Sequence, residues 1–275
     1  LGERRASPIE EIVETFCAPL TPAARAAFSA FILFATAARD AACDPALPAP
    51  RRQALLDGLE ALLIDRKPEV PLALPLSAAA RDLAATFAAA GADLGHARHL
   101  LQALRQDCAK TAYRDWADWL LFARFAAAPF GRLWIDAAGE DKAALPAAEA
   151  LACALLLLGQ TQSAAAAYRR SGKVYLPERW LRTHQAAPAD LALPAATPSW
   201  QAVFAEAARA ARQLLNAATP LPGVLRQPAQ RKAAAAGLAL SGRWAARLAK
   251  LDPLGGTARL SGFDRWRARM AAWRT

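Results

Sequence analysis

Apolar residues recur along this chain at spacings of three and four, the period of an α-helix, and scarcely anywhere alternate as they would in a strand. The pattern predicts helices over 22–44, 50–65, 77–90, 94–110, 113–138, 144–170, 198–217, 227–250 and 261–273. Proline-rich breaks separate them: DPALPAP (44–50), KPEVPLALP (67–75), APADLALPAATP (187–198) and TPLPGVLRQP (219–228). VYLP (174–177) has strand composition but is too short to seed a sheet. Two stretches, 26–38 and 150–158, are apolar on more than one face, which puts them at the centre of a bundle, either in a plain core or along an apolar cavity. Both fall well short of the ~20 residues that cross a bilayer. With no repeat of constant period and no long flexible linker, the expectation is one all-α domain over residues 1–275.

Composition strengthens that reading. Hydrophobic residues make up 55% of the chain, yet mean hydropathy is only +0.10, because alanine, the best helix former, supplies much of the count. The 34 Lys and Arg against 24 Asp and Glu give a net charge of +10, which attracts polyanions: diphosphates, anionic lipid surfaces or nucleic acid. A basic solvated surface carries the same charge with no partner at all. Cys17, Cys43, Cys108 and Cys153 lack C-x-x-C or His spacing and read as packing thiols, not as a zinc site or a disulfide framework. The opening LGERRASPIEE carries charge with no apolar segment behind it, so no signal peptide is visible and a cytoplasmic protein is expected.

Candidate chemistry is sparse. In TAARDAACDP, Asp40 and Asp44 lie four apart, a spacing that puts two carboxylates on one helix face within reach of a shared cation. Mg²⁺ joins such carboxylates to substrate phosphates, so this pair is the candidate metal and catalytic site. A solvated helix face carries the same spacing. In RQDCAKTAYRDW (105–116), Arg105, Asp107, Lys110, Tyr113 and Arg114 crowd a helix boundary where cations could hold phosphate, although a surface pair such as Asp107–Lys110 explains the pattern equally well. His96 and His99 lack a third ligand nearby. P-loop, G-x-G-x-x-G and G-x-S-x-G motifs are absent. The C-terminal RLSGFDRWRARMAAWRT interleaves Phe263, Trp266 and Trp273 with five arginines, Arg259 through Arg274. That composition suits an interfacial helix on anionic lipid, or a docked helix with snorkelling arginines; nucleic acid is not expected, since no RNA-binding module accompanies it.

Taken in order, the segments ETFCAPLTPAARAAFSAFILFATAARDAACDPALP (14–48), ARHLLQALRQDCAKTAYRDWADWLLFARFAAAPFGRL (97–133), VYLPERWL (174–181) and LDPLGGTARLS (251–261) resemble the squalene/phytoene synthase family. The resemblance spans nearly the whole chain and is nearest to the hydroxysqualene synthase type of hopanoid synthesis. It implies an all-α isoprenoid-synthase fold, with helices around a central apolar cavity for C15 prenyl chains. It also implies two aspartate-rich motifs holding Mg²⁺ against a substrate diphosphate. Against the family pattern, Arg39 and Cys43 occupy the outer aspartate positions of the first motif, and Thr36 replaces an arginine. Asp40 and Asp44 survive one position out of register, a rotation of roughly 100° about a helix axis. In GQTQSAAAAYRRSGKVYLP (159–177), Gly159, Ser163 and Ala167 stand where the second motif has its ligands. A tyrosine and a serine near the cavity are replaced by Phe122 and Ala126.

Two readings follow from the resemblance. In the first, the chain binds a prenyl chain or prenyl diphosphate with weak or absent catalysis, as a lipid-binding or scaffold subunit partnering an active synthase. In the second, it is an active Mg²⁺-dependent synthase that uses Asp40 and Asp44, with Arg39, Lys110, Tyr168 and Arg169 gripping the diphosphate. Tyr113, Phe122, Ala126, Ser163, Ala167 and Tyr175 complete the implied substrate site. Either reading allows peripheral contact with the inner membrane through the basic aromatic C-terminus.

Overall fold

Proline, glycine and short polar side chains set most of the helix boundaries. In a computed structural model, which describes residues 7–110, 112–273 and 275, no strand occurs among the described residues. The helices are α1 (Pro8–Cys17), α2 (Pro22–Ala42), α3 (Ala49–Leu63), α4 (Leu74–Ala90), α5 (Gly95–Ala109), α6 (Trp116–Ala126) and α7 (Ala128–Ala137). They continue with α8 (Leu145–Gln162), α9 (Ala164–Ser171), α10 (Glu178–Thr183), α11 (Pro198–Ala218), α12 (Leu221–Val224), α13 (Pro228–Leu248) and α14 (Gly262–Trp273). The N-terminal residues 1–6, where the absence of a leader was read, and Arg274 of the C-terminal arginine set lie outside the described residues.

Two of the expected helices are broken. The helix expected over 113–138 becomes α6 and α7, because Pro129 cannot donate to the preceding turn and clashes with it. The one expected over 144–170 breaks at Ser163, whose hydroxyl donates to the Gly159 carbonyl at 2.8 Å, a bond that bends helices. α1 lies outside the expected helices, although its start is written locally: Ser7 and Glu10 cap each other's backbone N–H, and Pro8 sits at the first helical position.

α2 and α8 are the central helices, as their all-round apolarity suggests. α2 packs against α3, α4, α5 and α7; α8 packs against α7, α11, α13 and α6. One continuous apolar cluster runs through both groups, with Phe31, Phe34, Phe87, Trp119, Trp200 and Trp244 among its fully buried side chains. With its preceding turn, α8 (Lys142–Gln162) is by length and composition apolar enough to cross a membrane, longer than the apolar runs alone suggest; 56% of its most apolar window is buried among its neighbours. All four cysteines are buried thiols, and burial pushes Cys17 up to about 11 and Cys153 up to about 12, so neither ionises near neutrality.

α7 and α8 approach each other closely at Gly131. A Cβ there would lie 2.5 Å from the Ala148 carbonyl oxygen, which is backbone and cannot rotate away. Gly131→Ala is therefore expected to cost about 1–3 kcal/mol, read from urea unfolding. Unchanged stability would mean that α7 slides at no cost.

The C-terminal segment is attached by charge. The Asp264 carboxylate is fully buried and accepts from Arg243 Nε (2.8 Å), Arg247 Nε (2.9 Å), Ser261 N (2.8 Å) and Ser261 Oγ (2.8 Å). Burial works against its charged form, but the bonds from Ser261, Arg243 and Arg247 outweigh it and hold the carboxyl well below the usual carboxylate range. Arg265 adds a two-bond grip on Glu11 of α1, at 2.6 and 2.9 Å.

Candidate functional site

Three of the four family-like segments, 14–48, 97–133 and 174–181, converge on one buried carboxylate. Asp107, in the last turn of α5, has a side chain only 2% exposed. It accepts from Tyr113 OH at 2.7 Å and from Tyr175 OH at 3.0 Å, and it pairs with Lys173 Nζ at 2.7 Å. Lys173 also donates to the Asp107 backbone carbonyl. Cys43, which caps α2, closes the cluster with its thiol 3.4 Å from the Tyr175 hydroxyl. Burial first, and then the charge of Asp107, push both phenols far above the usual tyrosine range. Both therefore stay protonated and serve as donors.

Local sequence explains how these side chains arrive. Gly172 has φ +69°, the left-handed turn that ends α9 and that side chains with a Cβ rarely adopt. Beyond it burial alternates from residue to residue. Val174 and Leu176 enter the core, and Tyr175 turns to Asp107. The Glu178 and Arg179 amides, at the start of α10, donate to the carbonyls of Tyr113 and Arg114 at 2.7 and 3.0 Å. Trp180 stacks on Trp116, which stacks on Trp119, and the Trp119 indole donates to Gln160 Oε1 at 2.8 Å. Gln162 likewise accepts from Trp244 at 2.9 Å. Polar side chains between Gly159 and Ser163 are thus spent on packing bonds.

Beside the ion pair lies a recess of about 120 Å³, lined by Cys43, Arg52, Asp107, Cys108, Lys110 and Lys173 among others. It gathers some of the residues expected from the sequence and leaves others out. Tyr113 and Tyr175 bond to Asp107, which lines it; Lys110 also lines it, paired to Asp118 at 2.6 Å. Phe122 is buried against the Tyr113 ring, with centroids 4.8 Å apart, and Ala126 is buried on the same helix. Tyr168 is half-buried against the core, Ala167 is half-buried, and Arg169 is exposed. A second cavity, about 270 Å³, lies elsewhere, between α11 and the end of α13, lined by Phe204, Leu248 and Pro253 among others.

Several expectations need correction. Asp40 and Asp44 do not share a helix face: Pro45 disfavours helical geometry at Asp44, so α2 ends at Ala42. The Asp44 carboxylate instead accepts from Ala46 N at 2.9 Å. Asp40 is half-exposed between Arg39 (3.6 Å) and Arg170 (3.8 Å), and Arg39 is itself half-exposed beside it. Asp107 and Lys110 do not form a surface pair: each holds a different partner, Lys173 and Asp118. Arg105 turns to α3, binding Asp57 and Glu60 at 2.7 and 2.6 Å. Asp107 as a hub, and Lys173 as its partner, were missed. The available signal was RQD inside an otherwise apolar helix face.

The donor set does not fit the Mg²⁺ that the resemblance implies. A Mg²⁺ site needs carboxylate oxygens turned to a common point. Here Asp40 is held among guanidinium groups, Asp44 is tied to backbone, and Asp107 is saturated by an ammonium and two hydroxyls. Ser163 is exposed with its hydroxyl turned back on its own helix, and Ala167 offers no ligand. No cluster of three His, Cys, Asp or Glu suited to a metal occurs among the described residues.

A sequence model of the squalene/phytoene synthase family matches residues 17–274. The hydroxysqualene synthase of Rhodopseudomonas palustris is 33% identical over 170 residues, which cover 62% of this chain and 56% of that protein. The chain thus spans about half the length of the curated relatives it matches. Among solved structures, squalene synthase HpnC from Alicyclobacillus acidocaldarius superposes with a TM-score of 0.67 at 21% identity, over 86% of this chain and 87% of that one. A dehydrosqualene synthase solved in complex with ligand gives 0.69 at 15% identity, over 98% of each chain. The two crystal structures share this all-α fold.

Proposed function

The chain belongs to the squalene/phytoene synthase family, and on that premise we propose that it binds a prenyl diphosphate or related isoprenoid of squalene or hopanoid metabolism, with metal-assisted ionisation weak or absent. It acts on the cytoplasmic side of the inner membrane as a lipid-binding or scaffold partner of an active synthase. The observation that carries this reading is the Asp107–Lys173 pair: the one fully buried carboxylate beside the recess is already neutralised by a cation of the same chain. An anionic head group entering the recess meets Arg52, whose Nε has no partner, beside Lys110 and Lys173, which are held by Asp118 and Asp107. The recess is smaller than the roughly 300–1,000 Å³ of ordinary ligand pockets. Its size suits a head group and not a prenyl chain.

Weak catalysis follows from the same arrangement. Departure of a diphosphate needs positive charge that grows stronger in the transition state, and a cation held by its own carboxylate supplies little more there than in the ground state. The competing reading, an active Mg²⁺-dependent synthase using Asp40 and Asp44, requires both side chains to leave their present partners.

Isothermal titration with a non-hydrolysable farnesyl thiodiphosphate, with and without Mg²⁺, separates the two. We expect Kd to change by no more than roughly twofold on adding Mg²⁺, a difference under about 0.5 kcal/mol. Affinity that appears only with Mg²⁺ and is lost in Asp40→Ala would establish the competing reading. No binding under either condition would end the prenyl-diphosphate assignment altogether.

A further inference from the structure

α14 is oriented contrary to an ordinary surface helix. Its core-facing side carries Asp264 and Ala268, both buried, whereas Phe263, Trp266 and Trp273 are 57%, 55% and 78% exposed. With half-buried Met270, these residues recur at i, i+3, i+7 and i+10, one continuous stripe along the helix. Phe263 and Trp266 stack with centroids 5.6 Å apart, and the Arg267 guanidinium lies 5.9 Å from the Phe263 ring. Arg259, Arg267 and Arg269 are exposed around the stripe. From Pro253 to the C-terminus the sequence has one acidic residue, Asp264, and its carboxylate is enclosed by Arg243 and Arg247.

We propose that this face of α14 docks on an anionic phospholipid surface. Large amphipathic rings seat at the level of lipid head groups, and guanidinium groups beside them pair with head-group phosphates. A protein partner would need acidic residues around an aromatic pocket, whereas a lipid surface supplies both chemistries without a specific sequence. The Asp264 clamp and the Arg265–Glu11 grip hold the helix to the body of the protein, so the stripe is presented without a folding transition. This inference is independent of what occupies the recess.

The test is co-sedimentation of the full chain with vesicles of phosphatidylcholine alone and of phosphatidylcholine mixed with phosphatidylglycerol. Tryptophan emission is followed in the same samples. Binding is expected only with phosphatidylglycerol, accompanied by a blue shift. The double variant Phe263→Ser/Trp266→Ser should lose affinity on the order of tenfold or more. Arg267→Glu/Arg269→Glu should lose a similar factor, and added salt should weaken the wild type. All four side chains are exposed, so each variant should keep the wild-type melting temperature. Recovery of the wild type in the supernatant with both vesicle types overturns the proposal, as does binding that Trp266→Ser leaves unchanged. A concentration-dependent mass in light scattering that Trp266→Ser abolishes would also overturn it, assigning the face to a second copy of the chain.

Discussion

Replacing Asp107 with alanine is expected to destabilise the fold by about 3–5 kcal/mol, because removing one member of a buried ion pair strands the other. Lys173 has a side chain only 10% exposed, and its ammonium would keep the Asp107 backbone carbonyl as a partner but lose the charge that balances it. The Tyr113 and Tyr175 hydroxyls would lose their acceptor as well. Lys173→Met should also destabilise, but less, since Asp107 keeps two hydroxyl donors. The double variant should be more stable than the sum of the single losses predicts, with a coupling of about 1–3 kcal/mol in a urea-unfolding cycle. A loss below about 1 kcal/mol for Asp107→Ala would place the pair in effective contact with water, at the strength of a surface bridge. Asp107 would then also be open to an incoming ligand.

The second large effect is expected at Asp264. Asp264→Ala removes a carboxylate that accepts two backbone or hydroxyl bonds from Ser261 and two from arginines. Bonds to a charged group contribute about 1.5–3 kcal/mol each when buried. Arg243 and Arg247 are about 40% exposed and can rehydrate, so the expected total is only on the order of 2–3 kcal/mol. The loss should be local: amides of α14 and of residues 251–261 should exchange faster in the variant, while those of α8 stay protected. Because the folded carboxyl sits below its ordinary value, its contribution is fully present above about pH 4. It fades as pH falls through the lowered value. Wild type and Asp264→Ala should therefore differ in stability at neutral pH and converge only in strong acid. A difference that persists unchanged in strong acid would show that packing, not charge, holds the helix.

Much of the helical framework was legible, because apolar period and proline position are local. The helices near 198–217 and 227–250 match α11 and α13 to within a few residues. α10 and α12, at six and four residues, are too short to show a period and take shape from their neighbours. The candidate site was legible only as a set of segments. RQD, the Tyr113 region and VYLP do meet, as their order in the resemblance implied. Their chemistry was not legible, since Asp107 and Lys173 are 66 positions apart and neither shows by spacing that it has a partner. The shared helix face expected of Asp40 and Asp44 is absent for a local reason: a proline directly follows Asp44 and α2 ends at Ala42. The internal salt bridge at the recess is invisible to periodicity; the aromatic stripe of α14 shows in the sequence, but not that it faces outward, which depends on the arginines that α13 offers to Asp264.

The Asp107–Lys173 pair also changes how this fold answers to its surroundings. A carboxylate balanced by a dissociable ion gives a protein whose stability follows the concentration of that ion, rising with saturation and falling on chelation. Here the counter-ion is joined to the chain and cannot be diluted away. At this point the folded state carries no mass-action dependence on dissolved cations: a charge that would otherwise have to be negotiated with the medium is settled when the polypeptide folds.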